Sequence, residues 1–170
     1  GQIIMLYGLG VIIATGYADK AGWAARKYMV AAANPLAVEA GYEILKKGGT
    51  AIDAAIATQL VLTLVEPQSS GIGGGAFLMH YDGKKVQAFD GRETAPMAAN
   101  EQLFQNPDGT PVSRTTGVVG GRSVGAPGVL RMLELAHKPP GKLPWRTLVT
   151  PAIRLSERGI AVSPRVNGLL

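Results

Sequence analysis

Residues 66–96 read EPQSSGIGGGAFLMHYDGKKVQAFDGRETAP. The stretch begins where a long apolar segment meets Pro67, crosses Gly71, Gly73, Gly74 and Gly75, and then takes up the two-residue period of a strand. Phe77, Met79 and Tyr81 alternate with Leu78 and His80, Asp82-Gly83 is the dipeptide favoured in tight type I′ turns, and Val86, Ala88 and Asp90 alternate on the return. A hairpin is therefore expected, with Arg92 just past its second strand. A guanidinium there is suited to a planar, two-pronged grip on a carboxylate. The same spacing also allows an ordinary surface pairing with Glu93, Asp90 or a distant acid, which carries little energy.

The glycine cluster admits other readings, and context weighs against them. Gly71, Gly73 and Ala76 fit G-x-G-x-x-A, but a dinucleotide fingerprint needs a strand before the glycines and a helix after them. Here the preceding segment is helical in character and the following one alternates like a strand. Ser69 and Ser70 lie in no G-x-S-x-G elbow and have no histidine near them in sequence, so they do not read as nucleophiles.

Upstream, Tyr28–Ala33 is apolar enough to predict a short buried strand. Asn34-Pro35 then starts a helix, Asn34 as N-cap and Pro35 in the first turn, with Leu36, Ala40, Tyr42, Ile44 and Leu45 facing inward. Lys46 and Lys47 oppose the negative end of its dipole, and Gly48-Gly49 end it. Thr50 opens the next helix with Asp53 at capping-box spacing, and AIDAAIATQLVLTLV is apolar on nearly every side, as in a helix covered by other layers. Residues 1–16 are apolar and glycine-interrupted. They are too short to span a bilayer as a helix and lack the basic start of a secretory signal, so residues 1–27 are set apart as an N-terminal extension of unassigned origin, whether extra strand, signal remnant or appended segment.

Downstream, a short helix is expected at Asn100–Phe104, a turn at Asn106-Pro107-Asp108-Gly109, and a mobile loop from Thr110 to Gly121. A helix follows Ser123–Gly128, with Val129, Leu130, Leu133 and Ala136 on its apolar face and His137 as a dipole-compensating surface residue. Beyond the break at residues 138–141, one helical segment starts near Trp145 and another at Thr150-Pro151, with Ile153 and Leu155 packing inward.

Composition bounds the function. Of the 170 residues 46% are hydrophobic and 17% charged, which is a globular balance and not a disordered one. The net charge is +5, but the basic residues are scattered with no aromatic platform among them, which argues against nucleic acid. The absence of cysteine excludes thiol catalysis and thiolate metal sites, and two histidines far apart in sequence make a zinc site from this chain unexpected. No cofactor is called for.

Three segments together carry a family resemblance: a helix ending in KKGG followed by A-x-D-A-A, then EPQSSGIGGGAF, then D-G-R-E-T-A-P. The succession resembles the N-terminal part of the large subunit of a γ-glutamyltranspeptidase, and the likeness continues through SVGAPGVLRMLELAHK and GKLPWRTLVTPAIRLSERGIAVS, so that residues 28–170 form the family-like portion. The resemblance implies an α+β fold of the N-terminal-nucleophile hydrolase type, a four-layer αββα sandwich of which this chain supplies a part. It implies a precursor that cuts itself into large and small subunits, and a small-subunit N-terminal threonine that attacks a γ-glutamyl amide such as glutathione, its own α-amine acting as base. The acyl group then passes to water, an amino acid or a peptide. The arginine of the family's R-E-x-A-P motif, which holds the substrate's α-carboxylate, falls on Arg92. On this reading the partners are the small subunit and the rest of the large one, the compartment is periplasmic or secreted, and the chain carries a substrate-binding residue but no catalytic one. Two rivals stand beside it: a glutaryl or cephalosporin acylase of the same fold, whose substrates also present a carboxylate, and a non-catalytic truncated module.

Overall fold

The computed structural model describes residues 24–169. The expectations for residues 1–16, and all but the last four residues of the proposed extension, lie outside that span. The described chain forms two compact units, one from residues up to Gly71 together with His137 onward, the other from Ile72–Ala136.

The first unit is helical. Helix α1 (Pro35–Lys46) begins where the Asn34 side chain accepts from the Leu36 N–H at 3.0 Å. It ends in a Schellman turn: Gly48 takes φ +84°, its N–H donates to the Leu45 carbonyl, and the Gly49 N–H donates to that of Ile44. Helix α2 (Ala51–Val65) carries both bonds of the Thr50/Asp53 capping box. No residue of α2 is exposed, as its sequence predicts, because α1 and α5 (Trp145–Arg158) both pack on it. Ala37 and Ala40 of α1, Val61, Leu62 and Val65 of α2 and Leu155 of α5 make the core between them.

Several expectations in this unit are corrected. Tyr28–Ala33 forms no strand, having no ladder partner among the described residues, and bends at Ala33; its Val30 is buried all the same. Tyr42 is exposed, its ring tilted against that of Tyr28 and beneath the Lys46 ammonium. The two helical segments near Trp145 and Thr150 are one helix with Pro151 inside it. Leu148 and Leu155, buried on either side of the proline, offset the roughly 3 kcal/mol that an interior proline costs. Ile153 faces out. A four-residue helix, α6 (Pro164–Asn167), ends the described chain.

The second unit contains the hairpin. Strands β1 (Phe77–Tyr81) and β2 (Val86–Asp90) pair antiparallel, Phe77 opposite Asp90 and Tyr81 opposite Val86. The turn differs from expectation: positive φ falls on Gly83 alone, whereas type I′ needs it at both central residues. The Asp82 carboxylate accepts from the Lys84 and Lys85 N–H groups at 2.8 and 2.9 Å and thereby closes the turn. Residues 100–104 form turns, not a helix. The expected loop from Thr110 contains a short helix, α3 (Arg114–Val118), capped by Ser113, whose hydroxyl accepts from the Thr116 N–H. In helix α4 (Val129–His137) the buried face is Val129, Met132, Leu133 and Ala136, with Leu130 exposed.

Candidate functional site

Arg92 follows β2 by two residues, as the hairpin reading predicts, and the backbone on both sides of it is pinned. Before it, Gly91 and Ala76 exchange hydrogen bonds of 2.9 and 3.2 Å, one rung past the strand ends. The Asp90 carboxylate accepts from the Arg92 N–H at 2.9 Å. After it, Thr94 and Ala126 form an antiparallel bridge with bonds of 2.8 and 3.3 Å. Gly128 and Val129 in turn donate their N–H groups to the Gly74 carbonyl.

Three passages of chain, 74–76, 91–94 and 125–128, thus lie against one another, and glycines make that spacing possible. A Cβ on Gly128 would fall 2.7 Å from the Arg92 carbonyl oxygen, one on Gly75 would fall 2.7 Å from the Arg92 Cα, and one on Gly91 would meet Met132 of α4 at 2.6 Å. None of these glycines takes a positive φ, so the requirement is for space. Gly73 and Gly74 stand apart from these, since among the described residues nothing lies within 4 Å of a Cβ on either and neither has positive φ.

The guanidinium rises from this rigid base. One of its nitrogens, NH1, lies 3.4 Å from Glu93 Oε1, and the side chain is 61% exposed. Beyond that ion pair, none of its guanidinium N–H groups makes a hydrogen bond among the described residues. The ordinary pairing with Glu93 is thus present at Arg92. The neighbouring acids have different tasks: Asp90 holds the backbone of Arg92, and Glu93 faces its guanidinium.

Elsewhere the residues singled out in the sequence take structural places. The Ser70 hydroxyl accepts from Gln59 Nε2 at 2.8 Å. His137 is no surface residue: its Nε2 lies 2.9 Å from the Leu143 carbonyl oxygen and 3.4 Å from Asp53 Oδ1, and its ring meets Trp145 edge-on. Among the described residues no three His, Asp or Glu side chains converge as metal ligands, and no helix is long and apolar enough to cross a membrane. A shallow apolar depression lined by Ala32, Ala33, Pro35, Val38, Glu39 and Tyr42 does not include Arg92. What the sequence reading missed is the Ala126–Gly128 passage, whose G-A-P-G spelling is the signal: two glycines flanking a proline, too stiff and too bare for an ordinary helix lead-in.

A family model described as Gamma-glutamyltranspeptidase matches residues 37–170. The chain is 46% identical over 136 residues to a glutathione hydrolase proenzyme of Bacillus subtilis, covering 79% of this chain and 23% of that protein. Among solved structures, a γ-glutamyltranspeptidase from Pseudomonas nitroreducens complexed with L-DON superposes with a TM-score of 0.79 at 38% identity, over 83% of this chain and 42% of that one. A cephalosporin acylase from Bacillus halodurans superposes with a TM-score of 0.67 at 32% identity, over 92% and 29%. The chain thus spans about a quarter of the length of the curated relatives it matches. The solved neighbours have the N-terminal-nucleophile hydrolase fold, and the described residues form a mixed helix and strand part of it. Sequence match and superposition agree that the chain belongs to the γ-glutamyltranspeptidase family.

Proposed function

We propose that this chain supplies the substrate-binding arginine of an enzyme that cleaves γ-glutamyl amides such as glutathione and passes the γ-glutamyl group to water, an amino acid or a peptide. Arg92 takes the α-carboxylate of the donor. The bond is broken by the N-terminal threonine of a small subunit, released by autocatalytic cleavage of a precursor, and that residue lies outside the present sequence. The rest of the large subunit and the small subunit are the chain's partners, in a periplasmic or secreted setting.

The observation that carries this reading is the guanidinium itself. It is exposed, its fork has no hydrogen-bond partner among the described residues, and its backbone is fixed between the Ala76·Gly91 and Thr94·Ala126 rungs. A fixed backbone leaves only the side chain to be ordered when a ligand binds. In the complete enzyme, Arg92→Ala is expected to raise KM for γ-glutamyl-p-nitroanilide by the equivalent of about 2 to 5 kcal/mol. An unchanged KM would remove Arg92 from the site.

The likeness to a cephalosporin acylase supports a second reading within the same fold, an acylase for glutaryl-type amides. Arg92 serves either substrate, so the discriminating measurement is kcat/KM for γ-glutamyl against glutaryl amides of the same leaving group. Preference for the glutaryl amide would favour the acylase.

A further inference from the structure

We propose that residues 95–125 form a lid on Arg92 that closes when a carboxylate occupies its guanidinium. The inference rests on the reading of Arg92 as the carboxylate-binding group. The segment departs three residues after Arg92 and returns beside its point of departure, because Thr94 and Ala126 pair across its base. Every hydrogen bond that residues 95–125 form among the described residues stays inside the segment. Gly117 is its one buried residue.

The segment nevertheless coheres. The Arg122 guanidinium donates to the Leu103 carbonyl at 3.0 Å, the Ser123 hydroxyl to that of Val118 at 3.1 Å, and the Val112 N–H to that of Phe104 at 2.9 Å. Helix α3 lies on the Phe104 ring through Gly117, where a Cβ would fall 3.5 Å from the ring. A piece that holds together internally and is hydrogen-bonded to the rest of the described chain only through its base has the low local stability of an element that moves. Its surface carries Met97, Val118, Val119 and Val124, each more than half exposed, which gain by being covered.

The charge of Arg92 makes closure conditional. The guanidinium has Glu93 Oε1 at 3.4 Å, and none of its N–H groups is hydrogen-bonded among the described residues. Covering it in that state would strip those donors of water with nothing in return, so the lid stays open over an empty site. A bound carboxylate accepts from them and removes the penalty, and burial of the apolar side chains then favours the closed state. Closure in turn keeps water from the ion pair and strengthens it. Ligand and lid therefore favour one another.

The test uses the complete enzyme and follows amide hydrogen exchange by mass spectrometry together with the calorimetric Kd for L-glutamate. Saturating L-glutamate is expected to slow exchange across residues 95–125 about tenfold and to leave the amides of α2 unchanged. Arg92→Ala is expected to raise Kd and abolish the slowing. Val118→Ser combined with Val119→Ser leaves the guanidinium in place and is expected to raise Kd about tenfold and to reduce the slowing. Exchange in residues 95–125 that ignores L-glutamate, beside a raised Kd in Arg92→Ala, overturns the lid alone. So does a slowing shared equally by α2, which would mark general stabilisation, or an unchanged Kd in the valine variant. An unchanged Kd in Arg92→Ala overturns the reading of Arg92 and the lid with it. If the valine variant does not fold, the exchange measured on the unaltered enzyme decides.

Discussion

Asp53 is an acid with no exposed surface, a state that is costly unless every lone pair is used. Its carboxylate accepts from the Thr50 N–H at 2.8 Å, which closes the capping box, and from the Lys142 and Leu143 N–H groups at 3.1 and 3.2 Å, with His137 Nε2 3.4 Å away. One side chain therefore caps α2 and anchors the turn that leads into α5. Asp53→Ala strips a cap and leaves two further N–H groups unmet, so it is expected to destabilise the protein by about 2 to 4 kcal/mol. Asp53→Asn, which still offers one oxygen, should lose less. Denaturant midpoints of the two variants at unchanged m-value check the order, and equal midpoints would show that the long-range bonds contribute nothing. The sequence declared the local half of this role through the Thr50–Asp53 spacing. The far half was hidden, because residues 142 and 143 contribute backbone N–H groups that any side chain could have accompanied.

The same division between local and distant causes runs through the secondary elements. Helices α1 and α2 were legible because their signals are adjacent in the chain: Asn34-Pro35 at one start, Gly48-Gly49 at one end, Thr50 at the next start. The hairpin was legible from alternation, although its turn type was not, since Asp82 uses its side chain and not a positive φ. The Lys85 and Lys84 N–H groups hold the Asp82 carboxyl below its ordinary range, so whatever the turn gains from that charge is present at neutral pH and is lost as the pH falls below the usual carboxylate range. The α5 helix was misread because Pro151 breaks helices locally, and only burial of Leu148 and Leu155 keeps the chain helical through it. Gly41 was missed for a similar reason. In sequence it is a weak point in α1, whereas in the fold it lets α1 lie close against α2: an added Cβ would overlap Thr58 Oγ1 and fall 3.2 Å from the Ala54 carbonyl oxygen. Alanine normally favours a helix over glycine by about 1 kcal/mol. Here Gly41→Ala is expected to destabilise by about 1 to 3 kcal/mol through overpacking, and Gly41→Ala with Thr58→Ser should not recover it, because the serine hydroxyl still occupies the gap. A rise in thermal midpoint for Gly41→Ala would contradict the close approach.

For the polypeptide taken whole, the all-round apolar α2 is covered by α1 and α5, as its sequence predicts. Among the described residues a bare apolar face belongs to the hairpin, where Phe77, Met79, Tyr81 and Val86 are each more than half exposed on one side of the sheet. A two-stranded sheet with one apolar face uncovered is marginal by itself. The relatives are several times longer than this chain, and the proposed reaction needs a nucleophile that the proposal assigns to another segment. Binding groups without a nucleophile hold a substrate and do not turn it over. Purified residues 1–170, free of any other chain, are therefore expected to release no p-nitroaniline from γ-glutamyl-p-nitroanilide, while the complete enzyme releases it and loses that activity when its small-subunit threonine is replaced by alanine. Release by residues 1–170 alone would mean that this sequence contains its own bond-breaking group, and the division of labour between Arg92 and a distant threonine would fall.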